Sequence, residues 1–299
     1  MAATEQFPSP TWRERLRDWP IVDFILRQPQ GTISGLFILT LIVVALFADV
    51  VAPYDPLDVD FVGMLQAPSL EHLLGTDNVG RDILSRIIYG ARTALAIGFL
   101  ASFVGCTIGA LIGTASAYFG GRVDLIVQRV VDVAMVFPII MLALVIVAIL
   151  GRNLVLGIDV NLILAIALPI APKVARVIRA SALSIVNMPY IDAARAAGYS
   201  HVRIILRHMM PNVVGPYLVL LTAYIAQAIL TEASLSFLGL GVSEPQPAWG
   251  LMLSSGSASY YRDAPWMVLF PGLAISLTVL AFNLFGDALR DWLDPRLRT

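Results

Sequence analysis

The chain has 299 residues, of which 58% are apolar and 14% charged, with a mean hydropathy of +0.80 and a net charge of −1. Soluble domains carry roughly 25% charged residues. The lower charged fraction of this chain indicates apolar surface that faces lipid. The near-zero net charge argues against a nucleic-acid partner, which requires a clustered basic face. The single cysteine, Cys106, lies in an apolar run and is expected to be a packing residue.

The first 30 residues are not typical of a cleaved signal peptide. Their charges are mixed, and the apolar run behind them is long enough to cross a bilayer. We therefore expect an uncleaved first span.

Six stretches are long and apolar enough for spanning helices, which need about 20 mostly apolar residues. Helices are expected because an open strand edge in lipid leaves backbone groups unpaired. Just before the second span, residues 82–91 repeat apolar side chains at helical spacing and predict a helix at the outer interface. The predicted spans are 31–52, 92–118, 125–150, 160–181, 213–236 and 266–288.

The distribution of Lys and Arg places both termini in the cytoplasm, because cytoplasmic loops are enriched in these residues. Two long outer loops, 53–91 and 237–265, then face the other side. The outer segments hold Arg81, Arg86, Arg92, Arg152 and Arg262. All other Lys and Arg residues are cytoplasmic, among them Arg13, Arg15, Arg17, Arg296 and Arg298 near the termini and Lys173, Arg176 and Arg179 after the fourth span.

The residues of common catalytic motifs are missing from the chain. A phosphate-binding P-loop needs a lysine after glycine, but the only lysine, Lys173, follows Pro172. His72, His201 and His208 form no H-E-x-x-H motif, and no G-x-S-x-G elbow is present. We therefore expect no catalytic, cofactor-binding or metal-binding residues and no enzyme activity.

A few charged residues lie within or near the predicted spans. Asp132 is expected to pair with Arg129 three residues earlier. Glu232 either faces a translocation path or gate, or pairs with a neighbouring helix. Asp287 and Arg290 are interpreted as helix-end charges. Prolines in or near the spans are either hinges or fixed kinks: Pro138, Pro169, Pro172 and Pro271.

The most informative segment is the basic loop between the fourth and fifth spans. Pro189 suits the first turn of a helix, and Asp192 places negative charge where the helix dipole favours it. The alanines that follow favour helix, and Gly198 is expected to end it at positive φ. A second short helix is predicted from about Ser200 through Pro211. Exposed alanines at a sharp turn favour a closely approaching partner, with a self-contained helical hairpin as the alternative.

This loop resembles the E-A-A-x(3)-G-x(9)-I-x-L-P signature of permeases in ATP-binding-cassette importers. Asp192, Ala193 and Ala194 stand at E-A-A, and Gly198 and Pro211 fall at the required distances. The residues that depart from the signature are Asp192 for E, His208 for I and Met210 for L.

Two further segments resemble the dipeptide/oligopeptide (and nickel) branch of that family, and the likeness is closest to the second of its two permeases. The first is Leu74-Gly75-Thr76-Asp77-Asn78-Val79-Gly80-Arg81-Asp82-Ile83-Leu84-Ser85-Arg86. The second is Glu232-Ala233-Ser234-Leu235-Ser236-Phe237-Leu238-Gly239-Leu240-Gly241, followed by Pro247-Ala248-Trp249-Gly250.

The resemblance implies an all-α membrane protein with six transmembrane helices, the type I importer permease fold and cytoplasmic termini. It implies a second permease, two ATPase subunits that bind ATP and Mg, and a periplasmic or lipid-anchored solute-binding protein. The location is the bacterial inner (plasma) membrane, and the implied substrates are di- and oligopeptides. The chain then divides into a cytoplasmic segment (1–30), a first helix with its periplasmic loop (31–90), a five-helix permease core (91–290) and a cytoplasmic tail (291–299).

In that family the loop, here 183–212, is the coupling helix that docks on an ATPase subunit. The implied docking residues are Asp192, Ala193, Ala194, Arg195, Gly198, Tyr199, Arg203 and Pro211. Nickel complexes, sugars, opines and other small solutes are alternative substrates. An ion-coupled secondary transporter or channel is the alternative from another class, and it explains six spans but not the alanine loop. A membrane enzyme is a third interpretation, for which the chain lacks a nucleophile or metal constellation.

Overall fold

The computed structural model describes residues 20–155, 157–254 and 259–293. The terminal arginines Arg13, Arg15, Arg17, Arg296 and Arg298, counted above for orientation, lie outside these residues. The helices are α1 (Pro20–Arg27), α2 (Pro29–Leu46), α3 (Ala48–Val51), α4 (Ile83–Phe119), α5 (Gly121–Val136), α6 (Ile139–Leu150), α7 (Val160–Ile185), α8 (Pro189–Ala196), α9 (His201–Ile204), α10 (Val214–Phe237), α11 (Trp249–Met252) and α12 (Trp266–Leu293). A π-helix (Ile205–Met209) and a 3₁₀ turn (Met210–Val213) join α9 to α10, and a two-strand hairpin, β1 (Leu154–Val155) with β2 (Ile158–Asp159), precedes α7.

Five helical stretches of the described chain are long and apolar enough to cross a membrane. They are α2, α4, α7, α12 and the continuous run from α9 through α10. A sixth span exists only if α5 and α6 are taken together, and these two helices are bent by 92°. Residues 125–150 are therefore not one continuous helix, and they form the predicted third span only as this bent pair. The break falls at Phe137 and Pro138, where the extended residue before a proline ends the helix.

The interfacial helix predicted over 82–91 is also not separate. These residues are the first turns of α4, which continues unbroken to Phe119. Ile83, Ile88 and Ala91 are buried against the protein. Asp82 caps the helix, because its carboxylate accepts a hydrogen bond from the Ser85 amide at 2.8 Å.

Helices α4 and α7 form the closest-packed pair of the molecule. A Cβ atom on Gly105 would lie 2.6 Å from the Ala167 carbonyl oxygen, and one on Gly109 would lie 2.5 Å from that of Ala171. Gly113, one turn further on, meets α7 in the same way. Glycines at this four-residue spacing let two membrane helices approach backbone to backbone.

Helix α7 runs without interruption through Pro169 and Pro172 to Ile185, beyond the predicted end at 181. Lys173, Arg176 and Arg179 therefore lie in its last turns rather than in the following loop. Asp132 is bound by Arg176 of this helix, so the expected pairing with Arg129 was wrong. Asp124, also on α5, is bound by Arg179, so two acidic side chains of α5 pair with arginines of α7.

Candidate functional site

The segment 188–211, which we call the cytoplasmic elbow, holds every residue of the predicted coupling loop that was named as a docking residue. Helix α8 begins at Pro189, as predicted, since a proline in the first turn loses no hydrogen bond. Asp192 lies in the first turn and accepts a hydrogen bond from Arg195 at 3.1 Å. The negative charge stands at the positive end of the helix dipole.

Gly198 ends the helix with φ +75°, which confirms the predicted left-handed conformation. Its amide donates to the Arg195 carbonyl at 3.0 Å, and the Tyr199 amide donates to the Ala194 carbonyl at 3.2 Å. This pair of bonds is the Schellman motif, which satisfies the last carbonyls of a helix and turns the chain sharply.

The second short helix also exists, although it is less regular than predicted. Ser200 caps α9, and its hydroxyl accepts a bond from the Arg203 amide at 3.4 Å. The chain then passes through the π-helix and the 3₁₀ turn that contains Pro211. Proline has no amide hydrogen and its ring displaces the carbonyl four residues earlier, here that of Arg207, which favours a departure from regular α-helix in this segment.

Helix α8 has two distinct faces. Ile191 and Ala194 are buried in the large core cluster and anchor the helix to the spans. Asp192, Ala193 and Ala196 are exposed on the other face. The elbow thus presents short side chains to the cytoplasm, with larger apolar side chains exposed around them: Met188, Tyr190, Tyr199, Val202 and Leu206.

The elbow is tied to the cytoplasmic end of α4 by Tyr118. The phenol oxygen of Tyr118 lies 2.8 Å from His201 Nδ1, and the Arg195 guanidinium lies 5.1 Å from the Tyr118 ring centre. Sequence reasoning missed Tyr118, because it precedes the loop by some 70 residues and no local pattern joins the two.

Within the elbow, Tyr199 is the centre of a second cluster. The Arg203 guanidinium carbon lies 4.1 Å from the centre of its ring. The His208 imidazole is nearly parallel to the same ring, at 5° and a centroid separation of 5.7 Å. Two docking residues predicted from sequence, Tyr199 and Arg203, are therefore in contact with each other.

Glu232 lies apart from the elbow, about 30 Å from Pro211 along the helix axis. Its side chain is 1% exposed and accepts a hydrogen bond from the Ser236 hydroxyl at 2.6 Å. Ser236 in turn accepts a bond from the Val242 amide, so the carboxyl group belongs to the junction where α10 ends. Its role in a path or gate stays a prediction.

On the outer side, the two segments that resemble the peptide branch come together, and we call residues 74–91 and 232–252 the outer cap. Arg81 binds Asp77 at 2.6 Å and Glu244 at 2.8 Å. Arg86 is 1% exposed, donates to the Pro56 carbonyl at 3.1 Å and lies 3.7 Å from Glu244. Burial alone lowers the pKa of Arg81, but its bonds to Glu244 and the charge of Asp77 outweigh that effect and raise it.

A buried tryptophan completes the outer cap. The indole of Trp249 donates to the Ile87 carbonyl at 3.0 Å, and its ring fills the space beside Gly90. Two motifs more than 150 residues apart thus share hydrogen bonds, ion pairs and one packed side chain. Within the described residues, no group of three His, Cys, Asp or Glu side chains is placed to hold a metal ion.

Comparison with known proteins places this architecture in a family. Residues 105–299 match the family described as "Binding-protein-dependent transport system inner membrane component". The chain belongs to this family. It is a multi-pass permease of the bacterial inner membrane and a transporter subunit rather than an enzyme.

Among curated proteins, the permease is 45% identical over 264 residues to a putative peptide transport system permease protein of Brucella suis, with 87% of each chain covered. It is 43% identical over 273 residues to the glutathione transport system permease protein GsiD of Escherichia coli O6:K15:H31, covering 91% of this chain and 88% of that one.

Among solved structures, the permease is similar to a chain of the MetNI methionine ABC transporter in inward-facing conformations. The TM-score is 0.53 at 17% identity, covering 71% of this permease and 98% of that chain. This similarity confirms the predicted fold, that of a type I importer permease.

Proposed function

We propose that this permease is the second membrane subunit of an ATP-driven importer for di- and oligopeptides. It pairs with another permease to form the translocation path, and two ATPase subunits bind and hydrolyse ATP with Mg in the cytoplasm. A periplasmic or lipid-anchored solute-binding protein delivers the substrate to the outer side.

The observation that carries the proposal is the geometry of the cytoplasmic elbow. Ile191 and Ala194 anchor the core-facing side of helix α8, and the opposite side exposes alanines and Asp192. Alanine buries little area by itself, so an exposed alanine face at a rigid corner is suited to close contact with a groove on another protein. ATP-driven closure of the ATPases then moves the two elbows of the importer together and opens the path outward.

Peptides are the proposed substrates because the names of the relatives refer to peptides. The Brucella relative is named for peptide transport, and the Escherichia coli relative for glutathione, which is itself a tripeptide. The outer cap supports the same branch, since it is assembled from the two segments whose sequence resembles peptide permeases.

A capture experiment tests the ATPase contact. The tagged permease is co-expressed with its partner permease and ATPases, solubilised and purified, and bound ATPase is measured. The wild-type complex should retain ATPase, and Ala193→Trp should lose most of it, because a large side chain on the exposed face of α8 prevents close approach. Ala67→Trp, at an exposed alanine of the outer loop, should retain ATPase fully. Equal capture by both variants would contradict docking through α8.

Substrate class is tested with the complete importer in proteoliposomes. Uptake of a radiolabelled tripeptide should depend on ATP and on the solute-binding protein. Unlabelled dipeptides, tripeptides and glutathione should compete for uptake, whereas nickel complexes, sugars and opines should not. Competition by one of these latter solutes alone would overturn the peptide assignment while leaving the ATPase contact intact.

A further inference from the structure

We propose that Tyr199 is a positioning residue that transmits the movement of helix α8 to the fifth span. The inference rests on the proposed function, since it concerns how the elbow transmits a conformational change of the ATPase subunits to the membrane spans. Tyr199 qualifies because its backbone belongs to one helix and its ring contacts the next.

The backbone of Tyr199 is part of the end of α8. Its amide donates to the Ala194 carbonyl at 3.2 Å as the last bond of the Schellman motif. Ala194 is itself packed into the core-facing side of α8. A tilt of α8 therefore moves the Tyr199 backbone with it, through a turn that Gly198 makes at φ +75°.

The ring of Tyr199 contacts the segment that leads into the membrane. Arg203, at 4.1 Å, belongs to α9, and His208, stacked at 5°, belongs to the π-helix. From there the chain continues through the 3₁₀ turn into α10 without a loop. Displacement of the ring consequently acts on the cytoplasmic end of the fifth span.

The position of His208 depends on this stacking. Its Nε2 atom is buried and has no hydrogen-bond partner in the described part of the chain. Buried polar groups are normally paired, and this nitrogen is an exception. The imidazole is therefore not held by a hydrogen bond at Nε2. The π-helix around it is a rare conformation that is found frequently at functional sites.

Tyr118 forms a separate connection between the elbow and a span, which can be compared with the contacts of Tyr199. It joins His201 and Arg195 to the end of α4 rather than to α10. The neighbouring Phe119 ring also contacts His201, at a centroid separation of 5.7 Å, so two rings join the elbow to α4. The cluster around Tyr199 is separate from them and leads into the fifth span.

The test uses the whole importer in proteoliposomes, with ATP hydrolysis and peptide uptake measured on the same sample. Because Tyr199 is itself among the predicted docking residues, Tyr199→Leu and wild type are compared at equal amounts of bound ATPase. Under that condition Tyr199→Leu should hydrolyse ATP, while uptake per ATP falls by about fivefold to tenfold, the scale expected for loss of one cation–ring and one ring–ring contact. Tyr199→Phe keeps the ring and should stay within about twofold of wild type.

A double-mutant cycle checks that the stack itself is responsible. His208→Leu should lower uptake per ATP by less than Tyr199→Leu, since it removes only the ring–ring contact. The double variant should be no worse than Tyr199→Leu alone, because that contact is already lost there. A wild-type ratio in Tyr199→Leu, a Tyr199→Phe as defective as Tyr199→Leu, or additive losses in the double variant would each overturn the proposal. Failure of the wild-type chain to capture ATPase would instead contradict the proposed function.

Discussion

The cytoplasmic elbow and the outer cap are both recognisable from sequence, yet they are built in opposite ways. In the outer cap, charged and aromatic side chains such as Arg86 and Trp249 are buried and bound by other parts of the same chain. In the elbow, most side chains of α8 remain exposed and its ion pair, Asp192 with Arg195, lies at the surface. The difference indicates that the cap serves folding, whereas the elbow is shaped for a partner.

The largest effect expected from this contrast is at Arg86. Arg86→Met leaves the buried end of the cap with the carboxylates of Asp77 and Glu244 and one fewer positive charge. We expect a loss of about 3 kcal/mol in stability, since removal of one partner of a buried ion pair is costly. The measurement is the thermal unfolding midpoint in detergent. Arg92→Met is the control, because its ion pair with Asp49 is exposed and should change the midpoint much less. Equal midpoints for the two variants would contradict a folding role for the cap.

At Gly198 we expect a smaller change in stability but a loss of transport. An added Cβ meets nothing within 4 Å, so the effect of Gly198→Val comes from the positive φ alone, at a cost of roughly 1–2 kcal/mol. The turn should shift and uptake should fall to background while the chain still inserts. Gly215→Val is the matched control, since Gly215 also has open space but lies within α10 at ordinary φ. Normal uptake by Gly198→Val would contradict the proposal that the elbow is required for transport.

The smallest effect is expected at Glu244, which belongs to the cap but is 53% exposed. Glu244→Gln removes a charge and keeps an oxygen that accepts from Arg81. An exposed ion pair contributes at most about 1 kcal/mol, so the unfolding midpoint should change by only a few degrees. A loss as large as that of Arg86→Met would show that exposure is the wrong criterion for ranking residues of the cap.

Local features of the elbow were predictable because they depend on neighbours in sequence. A proline at a helix start, an acidic first turn and a glycine at the end are governed by backbone geometry over a few residues. The positions of Pro189, Asp192 and Gly198 in the structure agree with those expectations. The family resemblance added the fold and the branch, which local geometry does not contain.

Long-range contacts were not predictable in the same way. Asp132 was assigned to Arg129 on the basis of helical spacing, but it pairs with Arg176 on a separate helix. Tyr118 and Arg86 have partners far along the chain, and their roles depend on where separate helices end in space. Pro138 marks the break in the third predicted span, but a proline does not by itself specify the 92° angle between α5 and α6.

The most direct test of the account is a thiol-protection measurement on the elbow. Ala196→Cys places a thiol on the exposed face of α8, and the native Cys106 is fully buried and should not react. Labelling with a water-soluble maleimide should slow by about tenfold or more when the ATPase subunits are bound, because the core of an interface excludes aqueous reagents. Leu70→Cys, on the outer side, should label equally with and without them. Equal labelling of Ala196→Cys in both conditions would contradict the claim that the elbow is the ATPase contact.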